Sequence, residues 1–165
     1  MKNTKTTGDG LHIDGQIMNA IGDPIFVKDE GSVFVFVNDA LCEMLGISRE
    51  NIIGKTLGES LPKDQMDHFL EVDRRVLNTG KEDITEEPLT GADKKILTII
   101  TKKSCFEDKD GKKYLVGIIT DVTDRKMAEN KLAEKMADLE KMNQAMVNRE
   151  IKMVEMKEEL EKLKK

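Results

Sequence analysis

The sequence predicts an α+β domain followed by one long helix. Two β-type runs lie near the N-terminus and three lie after residue 83, with helical segments between the two groups. The runs within each group are too close together for crossover helices, which favours a mostly antiparallel sheet with helices on one face. From residue 125 onward the chain has no Gly or Pro, and its apolar residues recur every seven positions. That repeat is typical of a coiled coil.

The composition argues against several classes of partner. The 165 residues carry a net charge of −5, and only 4% of them are aromatic. A nucleic-acid partner is therefore not expected, because such partners need basic surfaces and often stacking aromatics. The sequence has no apolar run long enough for a bilayer, and residues 1–5 lack a signal-peptide core. We expect a soluble, cytoplasmic protein without a membrane partner.

The first elements are a short helix and a hairpin. Residues 1–12 are polar and are predicted to be disordered. Ile13, Ile17 and Ile21 recur at helical spacing before Gly22. The apolar runs at 25–27 and 33–37 flank a turn at 29–32, which predicts a β-hairpin.

Three helices are predicted next. Asn38 and Asp39 can cap a helix that runs through Leu45 and ends at Gly46. Ser48 is expected to cap a second helix over 49–53. A longer helix is predicted over 63–78, and Gly80 ends it.

Three strands and a junction follow. Strands are predicted at 84–89, 95–106 and 114–120. Asp121 and Thr123 lie where the last strand gives way to the long helix. Their side chains can accept hydrogen bonds from backbone groups there, and Thr123 is a plausible N-cap. We expect these two residues to transmit a signal from the sheet to the helix.

These segments together resemble the PAS sensor family. The similarity lies in Ile25-Phe26-Val27-Lys28-Asp29 through Val35-Phe36-Val37-Asn38-Asp39-Ala40-Leu41-Cys42, in Leu45-Gly46-Ile47-Ser48-Arg49-Glu50-Asn51-Ile52-Ile53-Gly54-Lys55, and in Gly117-Ile118-Ile119-Thr120-Asp121-Val122-Thr123-Asp124-Arg125-Lys126. The resemblance implies a PAS fold: a five-stranded antiparallel sheet in the order 2-1-5-4-3, with helices that enclose a cavity on one face. It also implies an input domain for an effector such as a histidine kinase in a two-component system.

The resemblance does not bring a catalytic activity with it. The terminal helix has no His and therefore no phosphoacceptor, and no glycine-rich ATP lid is visible. We expect a non-catalytic module whose effector, such as a histidine kinase, is a separate partner.

The cavity that the resemblance implies makes four residues candidates for ligand binding. Haem-binding relatives carry a ligand on the helix that here holds His68, although His68 is about one residue out of register. Arg74 or Arg75 could form a bidentate contact with an anionic group, provided that the arginine does not lie on the surface. Asn38 completes the candidate set. The sequence does not identify a cofactor. We favour the absence of a cofactor, and haem is the less favoured alternative.

Flavin photochemistry and metal binding are not expected. Light-sensing relatives place a reactive cysteine where this chain has Leu57, and Cys42 lies one helix too early. Cys42 and Cys105 are interpreted as reduced thiols. His12 and His68 are far apart, and no metal-ligand spacing is present.

The terminal helix is predicted to form a parallel homodimer. The dimer-forming residues follow the heptad and are Leu132, Leu139, Met142, Met146, Met153, Met156, Leu160 and Leu163. Lys135 and Arg149 at core positions indicate a weak seam. We therefore expect a PAS domain over 13–124 and a coiled-coil output helix over 125–165. The alternatives are a ligand-free structural dimerisation module and, less favoured, a haem-based gas or redox sensor.

Overall fold

The computed structural model describes residues 15–56 and 61–163. The predicted disorder of residues 1–12 and the position of Leu57 lie outside these ranges. The chain divides into two compact units, one that ends at Thr123 and one that begins at Asp124.

The first unit opens with helix α1 (Gly15–Ala20) and a hairpin of strands β1 (Ile25–Asp29) and β2 (Phe34–Val37). The Asp29 side chain closes the turn, because its Oδ1 accepts hydrogen bonds from the backbone N–H groups of Gly31 and Val33. The predicted hairpin is therefore present.

Three helices follow the hairpin: α2 (Asp39–Leu45), α3 (Arg49–Ile52) and α4 (Lys63–Thr79). Helix α2 begins as predicted, with the Asn38 side chain accepting a hydrogen bond from the Leu41 N–H. It ends at Gly46, whose φ of 67° lies in the left-handed region that favours glycine.

The predicted cap of α3 is wrong in its chemistry. Ser48 occupies the N-cap position, but its side chain makes no capping hydrogen bond there. Its hydroxyl instead accepts a hydrogen bond from the side-chain amide of Asn51.

Strands β3 (Asp83–Thr90), β4 (Ile96–Glu107) and β5 (Lys113–Asp121) complete the sheet. A short 3₁₀ turn, Ala92–Lys94, connects β3 to β4. All neighbouring strands are antiparallel, and their order is β2-β1-β5-β4-β3. This is the order that the PAS resemblance implies, and each strand boundary lies within one or two residues of its predicted position.

The main core lies between the helices and one face of the sheet. Residues from all five strands and from α2, α3 and α4 form it, among them Val37, Leu41, Ile52, Val72 and Leu115, each at most 2% exposed. Alternation along the strands sends these side chains to one face, since successive residues point to opposite sides. The opposite face carries a smaller cluster, in which the rings of Phe106 and Tyr114 stack at 5.5 Å.

The second unit consists of helix α5, which begins at Thr123 in the first unit and runs to Leu163. Its described residues are all only partly buried or exposed in the single chain. Within the described ranges, no helix combines the length and the apolar character that crossing a membrane requires.

Candidate functional site

A cavity lies inside the first unit, between α4, α2 and the inner face of the sheet. Its volume is about 50 Å³. Nine of its lining residues are apolar: Phe26, Phe34, Leu41, Leu45, Leu61, Phe69, Leu89, Ile99 and Ile119. The other four are Lys28, Glu87, Thr101 and Lys103. A few polar groups in a mostly apolar wall are typical of the lining of ligand sites.

Asp73 ties two strands to helix α4 from behind the cavity wall. Its Oδ2 accepts a hydrogen bond from Lys28 Nζ on β1, and its Oδ1 accepts one from Lys103 Nζ on β4, both at 2.7 Å. The side chains of all three residues are at most 5% exposed. We name these three residues the buried triad. A carboxylate with one ammonium group on each oxygen is well paired, as burial of charge requires.

Burial and pairing act on these groups in opposite directions. Burial favours the uncharged form of Asp73, but the two ammonium groups and their hydrogen bonds outweigh it and lower the pKa of this carboxyl group. Burial also lowers the pKa of Lys28, and the attraction of Asp73 offsets only part of that effect. The lowered pKa keeps Asp73 ionised at neutral pH, whereas burial acts against the charge of Lys28.

Aromatic rings surround the ammonium groups of the triad. Lys28 Nζ lies 4.5 Å from the centroid of the Phe34 ring and 5.2 Å from that of Phe26. Lys103 Nζ lies 5.5 Å from the centroid of the Phe69 ring. Contacts of a cation with ring faces stabilise a charge that has left water. The same rings supply flat walls to the cavity.

Two polar atoms of residues that line the cavity have no hydrogen-bond partner in the part of the chain that the structure describes. They are Glu87 Oε2 and Thr101 Oγ1, and the residues that carry them are 5% and 2% exposed. Buried polar groups are nearly always paired, so unpaired ones call for an explanation. A bound ligand that supplies partners is one such explanation.

His68 lies at the rim and does not line the cavity. Its side chain is 48% exposed, and its Nε2 is 3.2 Å from Glu87 Oε2. That distance suits an ion pair with a protonated ring, but the contact lacks the geometry of a hydrogen bond, since Glu87 Oε2 remains unpartnered. Glu87 Oε2 thus has an ion-pair contact at the rim and makes no hydrogen bond among the described residues.

These features do not fit haem. A cavity of about 50 Å³ has room for roughly three to five water molecules and is far smaller than a typical ligand pocket. His68 also lies at the rim, where its side chain is 48% exposed.

Arg74 and Arg75 are placed on the outside of α4, so the structure does not support a role for either in the cavity. Both are exposed, whereas their helical neighbours Asp73 and Val76 are buried. Arg75 pairs with Asp83 at the start of β3. Successive helical residues are about 100° apart, which turns the arginines outward once Asp73 faces inward.

Asn38 has a structural position and does not line the cavity. It is fully buried, and its Oδ1 accepts hydrogen bonds from the N–H groups of Ile25 and Leu41. Its Nδ2 donates to the carbonyl oxygens of Met18, Ile21 and Asp23. Every polar atom of this side chain is used within the fold, which leaves none for a ligand.

The junction residues are hydrogen-bonded at the end of β5. Asp121 Oδ1 accepts hydrogen bonds from the N–H and the hydroxyl of Thr123. The Thr123 hydroxyl oxygen itself accepts a hydrogen bond from the Thr98 N–H on β4 at 2.9 Å. The predicted N-cap role of Thr123 is thus wrong: Thr123 is the first helical residue, and its hydroxyl faces β4. The transmission role of both residues remains a prediction.

Cys42 is half-buried on α2, packs against the core and does not line the cavity. Burial raises the pKa of its thiol, although Arg49 partly opposes this. A thiol held in its protonated form is a poor nucleophile.

The residues that sequence reasoning missed are the buried triad, Glu87 and Thr101. A signal was present for Asp73, because it falls in the apolar stripe of α4 with Met66, Phe69 and Val76 at spacings of three and four. Lys103 is likewise in phase with the inward residues of β4. A charged residue in an apolar stripe marks a buried charge that needs a partner.

On α5, all eight predicted dimer residues are exposed in the single chain, by 49% to 84%. Val147, Ile151 and Val154 add a second exposed apolar stripe. Apolar surface of this extent on an isolated helix is consistent with a partner helix. The parallel homodimer remains a prediction.

Comparisons with known proteins agree with this geometry. An uncharacterized protein, y4lL, of Sinorhizobium fredii (strain NBRC 101917 / NGR234) is 38% identical over 116 residues, which is 68% of this chain and 14% of that protein. The chain thus spans a small part of this relative.

Two solved structures show the same fold. The PAS domain of BvgS from Bordetella pertussis is similar with a TM-score of 0.59 at 19% identity, over 75% of this chain and 94% of that one. VqmA from Vibrio cholera, in a complex with ligand and DNA, is similar with a TM-score of 0.60 at 28% identity, over 66% of this chain and 50% of that one.

A family model described as the PAS fold matches residues 18–127, which is more than half of the chain. The strand order and the cavity between the helices and the sheet agree with that match. The chain belongs to the PAS family.

Proposed function

We propose that this PAS domain is a non-catalytic sensory module that binds a small molecule in its cavity and transmits the binding event through α5 to an effector. One observation carries the proposal: Lys28, Glu87, Thr101 and Lys103 place polar groups in the wall of an otherwise apolar cavity, and Glu87 Oε2 and Thr101 Oγ1 make no hydrogen bond among the described residues. A cavity that served only to hold the fold together would be apolar or internally paired.

The similar structures support the sensory part. One is the PAS domain of a two-component sensor histidine kinase, with a TM-score of 0.53 at 19% identity. Another is VqmA bound to DPO, with a TM-score of 0.60 at 27% identity over 69% of this chain. A histidine kinase in a two-component system is the effector that we propose. Because VqmA is also described with DNA, a DNA-binding regulator is the competing effector, and the absence of a nucleic-acid partner stays a prediction.

The transmission part is supported by the junction. Asp121 and Thr123 connect the end of β5 to β4 through the Thr98 N–H, and Ile99, the next residue on β4, lines the cavity. A ligand that shifts β4 would therefore act directly on the hydrogen bonds at the start of α5. The proposed output is a change in the pairing of two α5 helices within a cytoplasmic parallel dimer, with the PAS domain over 13–124 and the output helix over 125–165.

The alternative function is a dimerisation module that binds no ligand. The small cavity volume favours it, because a cavity of about 50 Å³ can be left to a few water molecules.

Native mass spectrometry of the purified chain separates the two functions. We expect the purified chain to carry a bound small molecule. If it does not, a chain that has been denatured, extracted and refolded should have a higher melting temperature in the presence of a compound from a metabolite extract. Leu45→Phe, which adds bulk to the cavity wall, should abolish retention. Ile96→Phe is the matched control, since Ile96 is 68% exposed, and it should retain the compound. If the measured mass equals that of the polypeptide alone and no compound raises the melting temperature, the ligand-free module would be favoured.

A further inference from the structure

Helix α5 carries a second apolar stripe, apart from the seam of the predicted dimer residues. Val147, Ile151 and Val154 are spaced by four and three residues, so their side chains share one side of the helix. That side lies about 150° around the helix from the seam, to which Met146 and Met153 belong. The three side chains are 52% to 56% exposed in the single chain. Pairing of two α5 helices through the seam therefore leaves this stripe uncovered.

The stripe is short and its residue types are unusual for an exposed helix surface. Val and Ile have a lower helix propensity than Ala, Leu or Met, because their branched side chains lose rotamer freedom. The same side of α5 is polar outside the stripe: Asn130 stands three heptads before Ile151, and Glu158 and Glu161 stand one heptad after Ile151 and Val154. A local apolar patch on an otherwise polar side favours a short contact with another helix.

The charged residues beside the stripe oppose a parallel copy. Glu150 and Lys157 lie along one flank of the stripe, and Glu155 and Lys162 lie along the other. In a parallel pair of helices each flank faces the opposite flank of the partner. Glu150 would then face Glu155 of the second copy, and Lys157 would face Lys162 of the second copy. Like charges in these places disfavour the parallel orientation.

The same residues favour an antiparallel copy. In an antiparallel pair each flank faces the same flank of the partner in reverse order. With Ile151 opposite Val154 of the second copy, Glu150 lies opposite Lys157 of the second copy. The twofold symmetry of the pair repeats both contacts. Two attractive contacts thus border the apolar centre.

Such an antiparallel pair overlaps only in the second half of α5, over residues 142–163 of each helix. Lys141 and Lys162 of the second copy meet at the two ends of this overlap, away from the apolar residues. Their repulsion acts on fully exposed side chains and is therefore weak.

We propose that the stripe of Val147, Ile151 and Val154 binds the same stripe on a second copy in antiparallel orientation, and that dimers formed through the seam associate with one another in this way. The inference rests on the dimer in the proposed function and adds a second contact to it. Three apolar side chains from each helix make a contact far smaller than a stable interface, so the association is weak and depends on concentration. Because a twofold dimer presents the stripe twice, one dimer can join two others.

Sedimentation of the full chain over a concentration series tests the contact. At concentrations on the order of tens of micromolar we expect the dimer, and on the order of hundreds of micromolar we expect masses that are multiples of the dimer. Ile151→Asp should abolish these larger species and keep the dimer. Asn130→Asp is the matched control, since Asn130 has the same heptad position outside the stripe, and it should keep the larger species.

Lys157→Glu tests the orientation. In the antiparallel pair it replaces two attractive contacts with Glu150 by two repulsive ones, and it should raise the dissociation constant between dimers about tenfold. In a parallel pair the same change would give Lys162 an oppositely charged neighbour, and it would strengthen the association. Glu155→Lys is the matched control, because Glu155 faces the uncharged Asn148 in the antiparallel pair, and it should leave the dissociation constant nearly unchanged.

The other outcomes separate this proposal from the proposed function. Dimers that stay dimers across the whole series would overturn the contact between copies, leave the proposed output intact, and assign the stripe to a helix of the effector. Tighter association of Lys157→Glu dimers would overturn the antiparallel orientation. A monomer at every concentration would overturn both the second contact and the dimeric output.

Discussion

The hydroxyl oxygen of Thr123 accepts a hydrogen bond from the backbone N–H of Thr98 at 2.9 Å. The two residues are 25 positions apart, and their contact joins the first residue of α5 to strand β4. In return, the Thr98 carbonyl oxygen accepts a hydrogen bond from the Val122 N–H at 2.9 Å. The start of α5 is thus fixed to the strand that forms one wall of the cavity.

Thr123→Val should loosen this connection without unfolding the domain. The substitution keeps the side-chain shape but leaves the Thr98 N–H without its partner, which costs about 1–3 kcal/mol. We expect faster hydrogen exchange at Thr98 and at residues 124–128, with residues 115–120 nearly as protected as before. Thr123→Ser, which keeps the hydroxyl, is the control. Equal loosening of β5 would assign Thr123 to the core fold, and no change at all would remove the physical basis of the transmission mechanism.

Asp73→Asn should be strongly destabilising. It removes the charge that pairs with two buried ammonium groups, and breaking a buried ion pair typically costs about 3–5 kcal/mol. Replacing the whole buried triad together, with Lys28→Met, Asp73→Leu and Lys103→Met, should recover most of that loss because it also removes the two ammonium groups that Asp73→Asn leaves without their carboxylate. Urea unfolding of the three proteins measures this. A triple variant less stable than Asp73→Asn would show that the triad contributes net stability.

The same carboxyl group predicts a pH dependence. The pKa of Asp73 in the folded state is below its ordinary value of 3.8. Its contribution to stability is therefore present above pH 3.8 and is lost as the pH falls from there through the folded-state pKa. The unmodified chain should lose more free energy of unfolding over this acidic window than the triple variant. Parallel acid-induced losses in the two proteins would contradict the depressed pKa.

Gly117→Ala should distort the cavity. Gly117 on β5 lies opposite Phe26 on β1, and an added Cβ would overlap the Phe26 ring. Phe26 is 4% exposed and has little room to move, so we expect a cost of about 1–3 kcal/mol from overpacking. Thermal unfolding measures it, and Gly22→Ala is the control because nothing lies within 4 Å of its Cβ position. Equal melting temperatures for the two variants would show that the ring yields freely.

Helix α5 should make the chain a concentration-dependent dimer. Leu139→Asp places a charge in the proposed seam and should shift the chain toward monomer, whereas Lys141→Asp, outside the seam, should not. Deletion after Lys126 should leave a folded and mostly monomeric domain. Sedimentation at concentrations on the order of tens of micromolar, suited to marginal coiled coils, reports the mass. A monomer for the unmodified chain at these concentrations would contradict the coiled coil.

The sequence was most informative where local chemistry decides the structure. Asn38 and Gly46 mark the two ends of helix α2. The Asn38 amide can cap the first turn, and Gly46 can take the left-handed conformation that ends the helix. The strand order followed from the PAS resemblance, since pairing across the sheet is not visible in any single segment.

The buried triad was not predicted because it is made by long-range contacts. Lys28, Asp73 and Lys103 are separated by 45 and 30 positions. Each belongs to a residue type that is usually on the surface. Only the joint observation that all three fall on inward faces would have identified them. The same reasoning explains the outward placement of Arg74, whose direction depends on which neighbour on α4 faces the core.

The hydrogen bonds of Asn38 set a limit on how the domain can be shortened. Its Nδ2 donates to the carbonyl oxygens of Met18, Ile21 and Asp23, while its Oδ1 holds the start of α2. Helix α2 in turn supplies Leu41 and Leu45 to the cavity wall. A fragment cut after Asp23 would leave a buried amide without acceptors beside that wall. The smallest expression fragment suited to ligand screening must therefore begin before Met18.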